Sequence, residues 1–236
     1  MRLSKPGPFV VFGNLVLAFF LCCLALPAAT GSSPALTPVA AKACHPGADV
    51  RAEQVVVVRS AGTRATVTAC RRVSGGTYVV ALGPYTGYVG RRGVATKGAK
   101  REDDGRTPTG VFALRGGFGV HGNPGVRFGW LRADRRDVWV DDSRSRYYNL
   151  HERTPANGRW SSAEHLRVWP SYEYAQVIGY NEARTPGRGS AIFLHVDSGR
   201  ATAGCVSVPR ASLVKLLRWE RRGAVIAIAR TAPTVR

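Results

Sequence analysis

Residues 190–205 read SAIFLHVDSGRATAGC, and this stretch carries much of the information about the fold. The apolar run at 191–196 has the length of a buried strand, and His195 lies at its end. A loop of small and polar residues leads to Cys205, and apolar residues then recur at helical spacing over 209–221. The stretch therefore predicts a strand, a loop and a helix, with His195 and Cys205 one loop apart.

Strand patterns dominate the rest of the chain. A glycine-rich loop is expected at 116–129, and Ser161 with Glu164 resembles the capping box of a short helix that ends before Pro170. The 27 glycines and 14 prolines favour a turn-rich chain. We predict a mostly β domain at 45–231 with one or two short helices. The strands are predicted at 54–60, 63–70, 76–82, 111–114, 137–141, 174–180, 190–196 and 224–229.

The first residues have the composition of an export signal at 1–31. Arg2 and Lys5 precede an apolar run of 18 residues at 9–26, and small residues suited to cleavage follow. Because a bilayer span needs about 20 apolar residues, cleavage is favoured, and retention as a membrane anchor is the alternative. Residues 32–44 are rich in Ser, Ala and Pro, as in a linker. We expect an exported protein that acts at the cell wall.

The chain is strongly basic. Lys and Arg total 34 against 15 Asp and Glu, which gives a formal charge of +19, and removal of residues 1–31 would lower it to +17. Such a charge favours anionic cell-wall polymers as partners, although a solvated arginine-rich surface is an equal alternative. The arginines are scattered, no nucleic-acid-binding motif is present, and export argues against nucleic acid as a partner.

The five cysteines fall into three groups. Cys22 and Cys23 lie in the predicted signal. In an oxidising compartment the other three suggest one pair and one free thiol. Since Cys44 and Cys70 flank the first strands, we predict a disulfide between them and a free Cys205. No C-x-x-C or His-rich cluster has metal-ligand spacing, so no metal site is predicted.

Cys205 and His195 have the chemistry of nucleophilic acyl transfer. An imidazole can take the thiol proton and return it to a leaving amine. Backbone N–H groups near Gly204 could receive an oxyanion, and the following helix could stabilise a thiolate. A small core cysteine and a buried core histidine are the alternative interpretation. The residue types alone leave both open.

The same stretch resembles the signature of the YkuD-type L,D-transpeptidases, which is a strand ending in His, a loop, and Ser/Thr-x-Gly-Cys. Other segments resemble an actinobacterial branch of that family, so that the resemblance covers roughly 53–230. They are REDDGRTPTGVFAL at 101–114, DVWVDDSRSRYYN at 137–149, SSAEHL at 161–166 and YAQVIGYN at 174–181.

The resemblance implies a mostly β, sandwich-like catalytic domain with the cysteine in a groove. It implies that Cys205 is the nucleophile and that His195 is the general base and later acid. Gly204 and the backbone of Cys205 would line the oxyanion site, and Thr202 matches the Ser/Thr of the signature. The resemblance also implies that the donor is a peptidoglycan tetrapeptide stem, which loses its terminal D-alanine and forms a thioester. A side-chain amine of another stem would then complete a 3→3 cross-link.

Two positions depart from the family pattern. Many members have His where this chain has Ala203, and Arg or Asn where it has Ser207. Since the Arg or Asn helps to hold the substrate or the site, these departures affect donor recognition. Arg210 is a candidate substitute, and a solvated arginine at a helix start is the alternative.

The resemblance implies that no metal or organic cofactor is needed and that carbapenems acylate Cys205. Two other functions stay open. One is a peptidoglycan L,D-carboxypeptidase or amidase of the same chemistry, and the other is a non-catalytic wall-binding protein of the same fold. Weaker candidates for substrate contact or histidine orientation are His121, His151, Tyr147, Tyr148, Asn149 and Asp197.

Overall fold

The computed structural model describes residues 41–47 and 49–231. The predicted export signal at 1–31 lies outside the described residues. A short 3-10 turn at Ser74–Gly76 joins two of the strands. In chain order the elements are β1 (Ala43–Cys44), β2 (Gln54–Ala61), β3 (Arg64–Arg72), β4 (Tyr78–Tyr88), β5 (Gly110–Gly119), β6 (Trp130–Arg132), β7 (Asp137–Val140), β8 (His151–Arg153), β9 (Ala163–His165), β10 (Ala175–Ile178), β11 (Phe193–Val196), β12 (Val206–Val208), α1 (Arg210–Trp219) and β13 (Val225–Arg230).

Eight strands form a closed ring of pairings, in the order β4, β12, β11, β10, β5, β13, β2 and β3, with β3 pairing back to β4. Most neighbours are antiparallel, but β11 with β12 and β13 with β2 are parallel. β1 and β6 extend the sheet from β4 and β5. The prediction of a mostly β domain is confirmed.

The main core contains apolar residues of the ring strands together with one face of α1. The helix places Leu213, Leu216 and Leu217, at the spacing of one helical face, into this core. Their burial explains why the predicted helix at 209–221 forms. Core members from the strands are Val56, Val67, Leu114, Ile178, Leu194, Val206 and Ile226.

A second, three-stranded sheet orders β8, β7 and β9. It overturns the prediction of a helix after Ser161, because Ala163–His165 is strand β9, antiparallel to β7. The N–H and hydroxyl of Ser161 bind the carboxylate of Asp142 instead of capping a helix. The capping-box pattern was therefore wrong here, since pairing with β7 satisfies the same backbone groups.

The predicted glycine-rich loop at 116–129 begins as strand, since β5 runs ten residues to Gly119. A side chain at Gly117 would come within 2.6 Å of the Trp130 ring, and one at Gly119 within 2.4 Å of a backbone oxygen. Glycine here therefore allows Trp130 to lie against the sheet, which a turn interpretation of these glycines overlooks.

The predicted disulfide between Cys44 and Cys70 is present, and Cys205 is a free, buried thiol. The bridge ties β1 to β3, so the last two residues of the range predicted as a linker belong to the sheet. Among the described residues, no helix has both the length and the apolar character needed to cross a membrane.

Candidate active site

Two parallel strands bring His195 and Cys205 together. His195 lies in β11 opposite Ser207 of β12, and Cys205 is the residue directly before β12. Both side chains line a cavity of about 290 Å³. The loop that joins the two strands is short. Because β11 and β12 are neighbours in the sheet, their pairing brings both side chains to one cavity, as the spacing in the sequence predicts.

The thiol of Cys205 is enclosed by backbone groups of the segment that leads into β11. The N–H of Phe193 donates to the sulfur at 3.3 Å, and the thiol donates to the carbonyl of Ala191 at 3.3 Å. Burial raises the pKa of Cys205 to about 12, and the charge of Glu164 acts in the same direction. The resting form of Cys205 is the neutral thiol.

His195 is oriented by a backbone carbonyl. Its Nδ1 lies 2.8 Å from the carbonyl oxygen of Val196, which can only accept, so Nδ1 carries the proton and Nε2 carries the lone pair. Burial lowers the pKa of His195 to about 4, against the opposing effects of that carbonyl and of Asp197. The imidazole is therefore neutral at pH 7 and able to accept a proton. The carbonyl, rather than Asp197, holds the ring.

The loop before Cys205 is fixed by threonine hydroxyls. Thr202 Oγ1 donates to the carbonyl of Cys205 at 2.7 Å and accepts from the N–H of Gly204 at 3.1 Å. Thr107 Oγ1 donates to the same carbonyl at 3.1 Å. Gly204 and Thr202 both line the cavity, but their polar groups are used to hold the loop. A side chain at Gly204 would lie 3.1 Å from the Arg106 carbonyl.

Tyr172 and Glu164 line the cavity although the sequence patterns do not predict them as site residues. The Tyr172 hydroxyl donates to Oε1 of Glu164, and the phenol lowers the pKa of the Cys205 thiol against the effect of burial. The Tyr172 ring lies edge-on to His195 with centroids 5.4 Å apart. Glu164 was interpreted as a helix cap. Its strand register, opposite Trp139, turns it into the cavity wall. No local signal in the sequence places either side chain in the cavity wall.

Charged groups complete the cavity wall. Lys100 is buried and paired with Asp104 at 2.8 Å, and its charge lowers the pKa of Cys205 slightly against the effect of burial. Glu102 accepts hydrogen bonds from the hydroxyls of Tyr148 and Ser190. The remaining charged lining residues are Arg91, Asp103, Asp141 and Arg200.

The positions that depart from the family pattern differ in their surroundings. Ala203 lines the cavity, whereas Ser207 is fully buried and its hydroxyl has no hydrogen-bond partner in the described part of the chain. Arg210 does not line the cavity, because its guanidinium is bound to Glu173 and lies over the Tyr174 ring. The geometry therefore gives no support to Arg210 as a substitute for the missing Arg or Asn.

The weaker candidates support the site or lie away from it. His121 and His151 are 3.2 Å and 2.9 Å from carboxylates of Glu173 and Asp137, outside the cavity. Asn149 accepts from the N–H of Ala191 and so holds the segment before β11. The Tyr148 hydroxyl donates to Glu102, although Tyr148 itself does not line the cavity. Tyr147 packs on Trp160 in a separate cluster. Within residues 41–47 and 49–231, no group of His, Cys, Asp and Glu could hold a metal ion.

The fold and the cavity define a mostly β domain in which a cysteine and a neutral histidine share one site. The chain belongs to the YkuD family, since the model of the L,D-transpeptidase catalytic domain matches residues 53–228. That range contains His195, Cys205 and the strands of the ring except for the last two residues of β13. The family acts on peptidoglycan stem peptides. No curated protein and no solved structure shows significant similarity to the chain.

Proposed function

We propose that the protein is an exported, cysteine-dependent L,D-transpeptidase that forms peptidoglycan cross-links. The observation that carries the proposal is that Cys205 and an imidazole whose Nε2 is unprotonated line one cavity of a domain of this family. Thiol and imidazole supply the nucleophile and the base for acyl transfer without a metal or an organic cofactor.

In the first half-reaction, Cys205 Sγ attacks the carbonyl of the third residue of a tetrapeptide stem while its proton passes to His195 Nε2. The tetrahedral intermediate then collapses, the bond to the terminal D-alanine breaks, and His195 returns the proton to the leaving amine. Because the Gly204 N–H is bonded to Thr202, we assign the oxyanion contact to the N–H of Cys205. The product is a thioester on Cys205.

In the second half-reaction, an amine of another stem attacks the thioester and Cys205 leaves as the thiol. His195 takes a proton from the attacking nitrogen and passes it to the sulfur. Exclusion of water from the thioester decides between transfer and hydrolysis. Carbapenems, whose strained carbonyl presents the same electrophile, are expected to acylate Cys205.

Export is supported by two features. Residues 1–31 have the composition of a signal, and the Cys44–Cys70 disulfide is of the kind that persists in oxidising compartments. With a formal charge of +17 after cleavage, the mature chain would be attracted to anionic wall polymers. We therefore propose the cell wall as the site of action.

The test is to incubate the mature protein with purified disaccharide-tetrapeptide and to analyse the products by mass spectrometry, beside C205A. A cross-linked dimer that is absent with C205A is the expected result. Loss of D-alanine without a dimer would mean a carboxypeptidase. No product and no adduct on Cys205 would contradict catalysis and favour a wall-binding protein.

A further inference from the structure

A carboxylate and a phenol lie beside the nucleophile. The Tyr172 hydroxyl donates to Glu164 Oε1, and the phenol lowers the pKa of the neighbouring Cys205 thiol against the effect of burial. All three residues line the cavity. The phenol of Tyr172 thus separates the carboxylate from the sulfur. The proposed reaction assigns no substrate group to this wall of the cavity. The acyl-transfer steps of Cys205 and His195 leave Glu164 and Tyr172 without a role.

The wall around Glu164 is acidic in a protein that is otherwise strongly basic. Asp141 and Glu102 line the same cavity and their charges act on Glu164. Among residues 41–47 and 49–231, none of these three carboxylates has a Lys or Arg within ion-pair distance. Lys100, the buried cation of the cavity, is paired with Asp104 instead. One oxygen of Asp141 is shielded from solvent and has no partner in this part of the chain.

We propose that Glu164, held by Tyr172, binds the ammonium group of the acceptor stem and takes its proton before the amine attacks the thioester. The inference rests on the proposed transpeptidase function. It identifies the acceptor as a primary ammonium and places it on the side of the cavity formed by β9 and the segment before β10.

The carboxylate of Glu164 takes one proton from the acceptor ammonium and leaves a neutral amine. The amine nitrogen forms a bond to the thioester carbonyl, the carbon–sulfur bond breaks, and His195 carries the second nitrogen proton to the sulfur of Cys205. Glu164 then releases its proton to solvent. The net products are the amide, the free thiol and one proton.

The groups around Glu164 determine when it can act as a base. It faces Tyr172, Asp141 and Glu102, and Cys205 lies beyond the phenol. Burial raises the pKa of Glu164 to about 6, the hydrogen bond from Tyr172 opposes this, and the two acidic neighbours reinforce it. Glu164 is therefore ionised at neutral pH, where an alkyl ammonium of pKa about 10.4 is still protonated. Without Glu164, only the small free-amine fraction would react.

The test partitions one acyl-enzyme between two nucleophiles. The thioester formed from disaccharide-tetrapeptide is offered both a stem peptide with a free side-chain amine and hydroxylamine, which is uncharged at neutral pH. The ratio of amide to hydroxamate is compared for wild type, E164Q and the surface control E182Q, whose carboxylate pairs with Arg115 outside the cavity. Because both products arise from the same thioester, the ratio does not depend on the fraction of folded protein.

At pH 7 we expect the ratio to fall at least tenfold in E164Q and to stay at the wild-type value in E182Q. The difference between the E164Q and wild-type ratios should narrow as the pH rises toward 9, because more of the acceptor is then free amine. The rate of transfer to the amine by the wild type should level off above about pH 6. A ratio in E164Q within twofold of wild type, or wild-type transfer that keeps rising tenfold per pH unit, would overturn the inference alone. Absence of any acyl-enzyme in the wild type would overturn the proposed function as well.

Discussion

At the scale of single residues, the resting site holds a neutral thiol beside a neutral imidazole. Burial raises the pKa of Cys205 to about 12 and lowers that of His195 to about 4. Alkylation of Cys205 by iodoacetamide should therefore be slow at pH 7. In the folded protein its rate should still rise about tenfold per pH unit beyond pH 9, whereas the alkylation rate of the same thiol in the unfolded protein levels off there. Alkylation rates followed by mass spectrometry test this. A plateau below pH 7 would instead reveal a preformed thiolate–imidazolium pair.

His195 should act as the base in acylation. The H195Q substitution should slow D-alanine release by about 10²–10⁴-fold, the usual contribution of a general base. Since only the neutral imidazole accepts a proton, wild-type acylation should fall only as the pH drops through about 4. Initial rates of D-alanine release from pH 3.5 to 8 measure both effects. A fall in the wild-type rate with its midpoint near pH 6.5 would contradict a buried, neutral histidine.

The roles of single residues differ in how far the sequence predicts them. His195 and Cys205 are separated by one loop, so local spacing places them on neighbouring strands and the residue types suggest the chemistry. Tyr172 and Glu164 reach the cavity only because β10 pairs with β11 and β9 pairs with β7. Such non-local pairing sets which face each side chain occupies, and the sequence offers no local signal of it.

At the scale of elements, the end of α1 is joined to the sheet by a buried carboxyl group. Glu220 Oε2 accepts from Gln176 of β10 at 2.6 Å, and burial raises the pKa of Glu220 to about 8. The folded state therefore holds a proton that the unfolded state loses near pH 4.5. This contribution to stability is complete below pH 4.5 and is lost as the pH rises through 8.

We expect the wild-type free energy of unfolding to fall, through this group, by about 4 kcal/mol between pH 5 and pH 9. The E220Q substitution keeps the shape but removes the titration, so this part of the slope should disappear. Urea unfolding of both proteins at the two pH values, with E182Q as a surface control, measures it. Equal slopes for wild type and E220Q would contradict a buried, protonated Glu220.

The disulfide anchors β1 and the first loop to β3. It joins cysteines 26 residues apart in sequence, and Cys70 is fully buried. Replacing both with alanine should lower the free energy of unfolding by about 3 kcal/mol, the usual contribution of a loop of this length. Guanidinium unfolding with and without reductant checks this, with C205A as the matched cysteine control. An unchanged midpoint after reduction would show that the bridge adds no stability.

Sequence patterns predict some elements and fail for others. The helix after β12 follows from the spacing of Leu213, Leu216 and Leu217, which all reach the core. Two predictions fail: the helix after Ser161, which is a strand, and the loop at Gly116–Gly119, which belongs to β5. The structure formed by a capping-box pattern or by a run of glycines depends on the strand that packs beside it. Pairing with β7 and the ring of Trp130 decide these two cases.

At the scale of the whole molecule, the closed ring of strands is the frame on which the Cys205–His195 cavity is built. The cavity lies where the parallel pair β11–β12 meets the segment before β10, and its acidic wall contrasts with the overall charge of +19. A basic surface would hold the protein near an anionic polymer by long-range attraction, while the acidic wall receives a cationic group at short range. Surface charge and site charge thus serve different partners.

The most direct test of the central claim is intact-mass spectrometry of the protein mixed with disaccharide-tetrapeptide and quenched in acid, followed by peptide mapping. The expected result is an adduct equal to the donor minus D-alanine, located on Cys205, absent in C205A and formed more slowly in H195Q. Release of D-alanine by C205A, or an adduct carried by another residue, would contradict it.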